Sequence, residues 1–304
     1  MTQTTLKILS ALVLSLIISY ANAQGCSDAG FCTINSFKPN NTDTILENKN
    51  QIKIGVSFGS ADNSVSAFGN YLEYNRQISN KFGIDAKLTS LSQSGNDISN
   101  FGLSDLYLNG NYKANDKLKL TLGLKIPLAN GNKTKDNLAL PMDYQSSIGT
   151  FDLIYGAGYE INKLQLVLAF QQPLSQNKNE FLAESYPINS KIRDFQSTNK
   201  FKRSSDVLLR VSYPVELGEK FRITSSLLPI YHLSNDKYTN NLGIENEIKG
   251  SLGLTLNGNV YVDYEINNRN ALQLNIGIPF VVRDARPDGL TRSFVVNLEY
   301  KVKF

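Results

Sequence analysis

The chain has 304 residues, and its 31 lysines and arginines against 27 acids give a formal net charge of +4, too weak to favour a nucleic-acid partner. Its 15 tyrosines, 15 phenylalanines and 21 glycines suit strands that are apolar on one face better than they suit a helical core. No segment of the predicted mature chain approaches the roughly 18 consecutive apolar residues that a spanning helix needs. A membrane-bound form must therefore cross as strands.

Residues 1–23 predict a cleaved signal peptide. Lys7 precedes a largely apolar run over residues 8–18, and Ala21 and Ala23 form the small-x-small pattern of a signal-peptidase site. The apolar run is too short to cross a bilayer as a helix. We therefore expect an exported protein whose mature chain begins at Gln24.

The two cysteines of the chain, Cys26 and Cys32, follow this leader closely. In an exported protein such a pair favours a disulfide. A lipid-modified Cys26 is the alternative, although the residues at 23–25 make a poor lipobox. Residues 24–49 show no strong strand pattern, and two interpretations stay open: a small plug that folds into a barrel and is held by the disulfide, or disorder in the periplasm.

Residues 50–304 predict a transmembrane antiparallel β-barrel of about twelve strands, because apolar and polar residues alternate with a period of two. Lipid offers no partner to backbone N–H and C=O groups, so strands cross it only as a closed barrel. Arg76 falls on the lipid face of the predicted register, which places it near the periplasmic rim or implies a register slip. The alternation is clearest over residues 118–126, 252–264, 272–278 and 292–304, and weaker over 51–58, 70–78, 83–91, 102–112, 150–161, 164–172, 206–213 and 221–232.

Short and long connections alternate along the predicted strands. Outer-membrane barrels place short turns in the periplasm and long loops outside. The pattern therefore predicts an outer-membrane protein with both ends of its barrel in the periplasm, and a last strand ending at Phe304 that the barrel-assembly machinery reads. The short connections are residues 79–81, 114–116, 162–163, 217–219 and 267–270, and the long ones are 130–147, 173–203 and 235–248.

Charged residues in the polar register are predicted to line the lumen. Their signs balance, which favours salt-bridged walls over a strongly ion-selective pore. Asp105 keeps two interpretations, a residue of a constriction or a carboxylate that pairs with Lys119 or Lys125. The lumen-lining candidates are Asp105, Lys119, Lys125, Asp152, Arg210, Arg222, Asp263, Arg283, Glu299 and Lys301.

A family resemblance rests on residues 101–112, which contain Gly102, Asp105 and Leu106, and on the alternating strand that follows and ends at Pro127. Together they resemble the phenol-degradation meta-pathway family of outer-membrane transporters. Residues 149–156, 279 and 283–291 are similar to further parts of its pattern, and the early cysteine block resembles Bacteroidota-type members. The resemblance implies passage of small hydrophobic or aromatic molecules, and it supplies no catalytic residue.

Other chemistry is weakly marked. The only histidine, His232, stands near Ser234 at the outer end of a predicted strand. A hydrolase needs a base that a third group orients, and the sequence marks no such group, so we favour a rim or loop histidine. The acids Asp236, Glu245 and Glu247 do not have the spacing of a calcium loop. Phosphate-binding, zinc and nucleotide motifs are lacking as well, and no cofactor is expected.

The function predicted from these features is that of a non-enzymatic outer-membrane channel or transporter for small, hydrophobic or aromatic solutes. Two alternatives remain. One is an outer-membrane hydrolase, and the other is a structural or adhesive barrel that binds a partner through its external loops, chiefly residues 173–203.

Overall fold

A computed structural model describes residues 31–40, 49–60, 62–288 and 294–304. Sixteen strands are present in these ranges, and we number them in chain order. Twelve of them are long: β1 (Asn50–Ser60), β2 (Ser66–Gln77), β3 (Phe82–Gly95), β4 (Ile98–Lys113), β5 (Leu118–Pro127), β8 (Asp152–Ile161), β9 (Leu164–Pro173), β10 (Asp206–Leu217), β11 (Phe221–His232), β14 (Gly253–Glu265), β15 (Asn270–Val281) and β16 (Phe294–Lys303). The other four form two small hairpins, β6 (Thr134–Lys135) with β7 (Leu138–Ala139) and β12 (Lys237–Thr239) with β13 (Glu245–Glu247).

The twelve long strands close a single antiparallel barrel in the order β1-β16-β15-β14-β11-β10-β9-β8-β5-β4-β3-β2. Each pairs with its neighbour along the chain, and β1 pairs with β16 to seal the seam. Successive side chains of a strand point to opposite faces, so closure separates an inner set from an outer set. In β5, for example, Lys125 is fully buried whereas Leu122 is 61% exposed. The predicted twelve-stranded barrel is confirmed.

The outer surface carries the apolar residues of the alternation, as a surface that faces lipid requires. Exposed aromatic side chains gather near both ends of the strands, where they form the two girdles typical of membrane barrels. At the end with short turns the exposed aromatic residues include Phe82, Tyr112, Tyr159, Phe221, Tyr300 and Phe304, and at the opposite end they include Phe58, Phe68, Phe101, Tyr231, Phe280 and Phe294.

The end of the barrel with short turns also holds the end of the last strand. Asn50 and Phe304 exchange two backbone hydrogen bonds, of 3.1 and 2.9 Å, at the β1–β16 seam. Arg76 is exposed and lies opposite Asn50, one residue before β2 ends. The predicted position of Arg76 near the rim is therefore confirmed, and no register slip is needed.

The long connections fold over the other end of the barrel. They bury two apolar clusters of their own, one around Tyr144, Phe181 and Phe195 and the other around Met142 and Phe201. Short 3-10 turns occur at Phe31–Thr33, Asn35–Phe37, Met142–Tyr144, Ala183–Ser185 and Lys191–Asp194. No helix in the described ranges is long and apolar enough to span a bilayer.

Candidate functional site

Residues 31–40, which we call the N-terminal segment, lie among the inward-facing side chains of the barrel. The ammonium group of Lys87 on β3 donates to the backbone oxygen of Thr33 at 3.1 Å and to its hydroxyl at 2.9 Å. The guanidinium of Arg210, from β10, donates to the backbone oxygen of Cys32 at 2.9 Å. Two barrel cations are therefore bound by oxygens of one short stretch of chain.

A polar wall faces one side of the N-terminal segment. Lys38 of the segment pairs with Glu299 on β16 at 2.8 Å, and Lys53 on β1 pairs with Glu73 on β2 at 3.2 Å. Lys53 also donates to the side-chain oxygen of Asn35. The ion pair with Glu299 therefore ties Lys38, and with it the segment, to the polar wall.

The N-terminal segment reaches toward the end of the barrel with short turns through Asn40. Its side-chain amide donates to the hydroxyl of Thr224 at 2.6 Å and to the carboxylate of Asp263 at 2.8 Å. Its backbone N–H donates to the side-chain oxygen of Gln165 at 2.9 Å. These three partners belong to β11, β14 and β9, so the segment bridges strands on several sides of the lumen.

An apolar wall faces the other side of the N-terminal segment. Ile34 and Phe37, each 1% exposed, pack into one buried cluster with inward-facing residues of neighbouring strands. Gly156 on β8 makes room for the Phe37 ring, because a Cβ at that position would lie 2.8 Å from a ring carbon. The barrel residues of this apolar wall are Tyr107, Ile154, Val167, Ala169, Leu208, Leu228 and Ile230.

Cys32 is disulfide-bonded and buried. Its predicted partner, Cys26, lies outside the described residues, as do the predicted signal peptide and the rest of residues 24–30. The pairing of the two cysteines therefore stays a prediction.

Asp105, Lys125 and Asp152 lie together inside the barrel. The ammonium group of Lys125 is 2.8 Å from the carboxylate of Asp152, and both side chains are fully buried. Asp105 lies opposite Pro127, and its carboxylate accepts hydrogen bonds from Ser147 at 2.7 Å and from its neighbour Ser104 at 2.9 Å. Among the described residues, the carboxylate of Asp105 forms no ion pair with Lys119 or Lys125, and its role stays a prediction.

The remaining candidates divide by depth. Arg210, Asp263 and Glu299 are buried at contacts with the N-terminal segment. Three others, Lys119, Arg222 and Lys301, are half-buried, and Arg222 pairs with Glu216 at 2.6 Å. Arg283 follows the end of β15 and donates to the backbone oxygen of Ser251 at the mouth under the long loops.

His232 belongs to a buried charged network at that mouth. One ring nitrogen lies 2.6 Å from the carboxylate of Asp206, and the other lies 2.8 Å from Asp236. Arg203 pairs with Asp206, and Arg283 pairs with Asp288 at 3.1 Å. Because Arg203, Asp236 and Asp288 come from three different loops, the network ties the loops together across the barrel.

This network corrects the interpretation of His232 as a rim histidine with no orienting partner. His232 does end a strand, but it is 1% exposed and two carboxylates hold it. Since both ring nitrogens are engaged by carboxylates, neither is placed to take a proton from a serine hydroxyl. The geometry does not support the hydrolase alternative.

Sequence reasoning missed several of the site's members. The segment residues Ile34, Phe37 and Lys38 follow no strand period, and Lys53 and Glu73 lie in two weakly alternating strands. Asp206 had a usable signal: the predicted hairpin of residues 206–213 and 221–232 places it opposite His232, as observed.

The closed barrel, its apolar exterior with two aromatic girdles, and the alternation of short turns with long loops fit one setting. The protein is an outer-membrane β-barrel. No family model and no curated protein matches its sequence.

Several solved barrels resemble it in structure. A NanC porin gives a TM-score of 0.44 at 9% identity, covering 84% of this chain and 98% of the porin. The translocator domain of the autotransporter NalP from Neisseria meningitidis gives 0.44 at 9%, with coverages of 99% and 95%. The P. putida toluene transporter TodX gives 0.41 at 11%, with coverages of 85% and 91%. Similarity at this level assigns no cargo to the chain.

Proposed function

We propose that this outer-membrane barrel is a passive channel for small solutes that carry an apolar part, and that the N-terminal segment is its plug. The observation that carries the proposal is the division of the lumen into the polar wall and the apolar wall, with the segment filling the space between them. Lumens of membrane barrels are ordinarily polar. An inward apolar wall therefore supports a route for molecules that are partly hydrophobic.

The plug role is supported by the kind of contact that holds the segment. Each described contact is a side-chain packing contact, a hydrogen bond or an ion pair, and each is reversible. The disulfide predicted between Cys26 and Cys32 closes a short loop that stiffens the start of the segment. Release of residues 31–40 leaves the twelve-stranded ladder intact, because the segment adds no strand to it.

Uptake into proteoliposomes tests this function. We expect the wild-type barrel to admit a small neutral aromatic solute faster than a sugar of similar size, and a reductant to increase the rate by weakening the segment's structure. Protein-free vesicles are the control for diffusion through lipid. A barrel that stays silent to both solutes, with and without reductant, contradicts the channel proposal and favours a structural or adhesive role.

Three finer assignments belong to the same proposal. The residues around Asp105 support membership in the phenol-degradation meta-pathway family, with a Bacteroidota-type cysteine block. The strand ending at Phe304 is proposed as the signal for the barrel-assembly machinery. The engaged nitrogens of His232 support a protein without enzymatic activity.

A further inference from the structure

Lys87 and Arg210 differ from the other buried cations of the barrel. Lys53 is matched by Glu73, and Lys125 by Asp152. Within the described part of the chain, neither Lys87 nor Arg210 has a carboxylate within ion-pair distance, although they are 3% and 2% exposed. Lys87 donates its hydrogen bonds to oxygens of the N-terminal segment, and Arg210 donates to the segment and to the hydroxyl of Tyr261. Burying a charge is costly without a strong acceptor, so these two sites call for one.

Lys87 and Arg210 both donate hydrogen bonds to the same short stretch of the segment. Arg210 donates to the backbone oxygen of Cys32, and Lys87 donates to that of the next residue, Thr33. The Nε–H group of Arg210 is buried without a hydrogen-bond partner. Lys87 also lies over the ring of Tyr71, 4.1 Å from its centroid. The backbone oxygens of Cys32 and Thr33 therefore accept hydrogen bonds from Lys87 and Arg210, and Arg210 keeps one N–H donor without an acceptor.

The same segment places an apolar group beside these oxygens. Ile34 and Phe37 follow within five residues of Cys32 and pack on the apolar wall that includes Leu208, two positions from Arg210 on the same face of β10. The segment thus offers the barrel acceptor oxygens for its cations and an aromatic ring for its apolar wall.

We infer that, once the segment leaves, Lys87 and Arg210 bind the carboxylate of a monoanion whose apolar body takes the place of Phe37. This inference rests on the proposed function and names its solute class, an aromatic or medium-chain carboxylate. A carboxylate accepts several hydrogen bonds and forms stronger, charge-assisted ones than a neutral carbonyl does. Glu73 and Glu299 lie on the adjoining polar wall and disfavour a second anion, so we expect a solute with one negative charge.

Calorimetric titration of the full-length protein in a neutral sugar detergent tests the site. The probes are 3-phenylpropanoate and 3-phenylpropanol, which share one apolar body. Because hydrogen bonds to charged groups contribute about 1.5–3 kcal/mol, Arg210→Gln is expected to weaken binding of the carboxylate about tenfold or more. Arg210→Lys should restore part of the loss. The matched control is Lys163→Gln, which removes one charge from an exposed turn.

The segment should compete with the probe, so Phe37→Ala is expected to bind 3-phenylpropanoate at least tenfold more tightly than wild type. Equal affinity for the two probes, or equal effects of Arg210→Gln and Lys163→Gln, overturns the site. Absence of carboxylate binding in Phe37→Ala overturns it too.

Flux in proteoliposomes separates this inference from the channel proposal. Charge-dependent binding without transport leaves the site standing and contradicts the channel. Transport of both probes at equal rates, unaffected by Arg210→Gln, leaves the channel standing and contradicts the site.

Discussion

Phe37→Ala should open the barrel. The Phe37 side chain is 1% exposed in the apolar cluster, and truncating a buried phenylalanine to alanine costs about 3–5 kcal/mol. At 1.4 kcal/mol per tenfold, that loss shifts the balance between bound and released segment by a factor of about 100 to several thousand. Lys38 and Asn40 still hold the segment, so the released state need not become dominant. Single-channel recording in planar bilayers should nevertheless show open time rising at least tenfold.

The matched control is Phe101→Ala. Phe101 is 62% exposed on the outer surface, so the same truncation removes a lipid contact and leaves the lumen unchanged. We expect its open time to equal that of wild type. If Phe37→Ala and Phe101→Ala give the same recordings as wild type, while both fold, the apolar wall does not hold the segment in place and the reasoning fails.

Two further predictions concern stability. Lys125→Met leaves the fully buried carboxylate of Asp152 without its cation, and should destabilise the barrel by about 3–5 kcal/mol. Adding Asp152→Leu should recover most of this loss, and the temperature of the heat-induced gel shift measures both effects. If the two substitutions instead destabilise the barrel additively, the ion pair does not stabilise it. Burial and the carboxylates of Asp62 and Asp288 raise the pKa of Asp143, in a long loop, to about 7. The folded form thus binds this proton more tightly than the unfolded form does. Protonated Asp143 contributes its full stabilisation below pH 4, and this contribution is lost as the pH rises to 7, by at most about 1.4 kcal/mol per pH unit. Asp143→Asn should therefore raise the gel-shift temperature at pH 8 and leave it unchanged at pH 4, and equal shifts at both would contradict the titration.

The barrel was predictable because its signals are local. Alternation within each strand gives the inner and outer faces, and connection lengths give the direction of crossing. Arg76 is an example of a position predicted from these signals. Its outward register position predicted a place near the rim, and Arg76 is found one residue before its strand ends. The physical cause is the cost of placing arginine deep in lipid.

The site around the N-terminal segment was less predictable because it depends on contacts between distant parts of the chain. Lys53 and Glu73 alternate correctly, but Asn70 interrupts the apolar outer face of β2 and Tyr71 stands on its inner face, which weakens the pattern of that strand. The segment has no periodicity that fixes its position in the lumen. Asp236 lies in a long loop, where no register relates it to His232.

The inward apolar residues of β8 to β11 carry one more implication. Part of each strand is apolar on both faces; on β9, for example, Leu168 faces outward while Val167 and Ala169 face inward. A strand that is apolar on both faces needs cover on both sides, since exposed apolar surface costs about 25 cal/mol per Å² in water. Lipid covers the outer face, and the N-terminal segment covers the inner one. Removing the segment without replacing it would expose the apolar wall to water. An apolar solute that takes the place of the segment therefore lowers the free-energy cost of opening the barrel. The surface that holds the segment would then also favour an apolar solute.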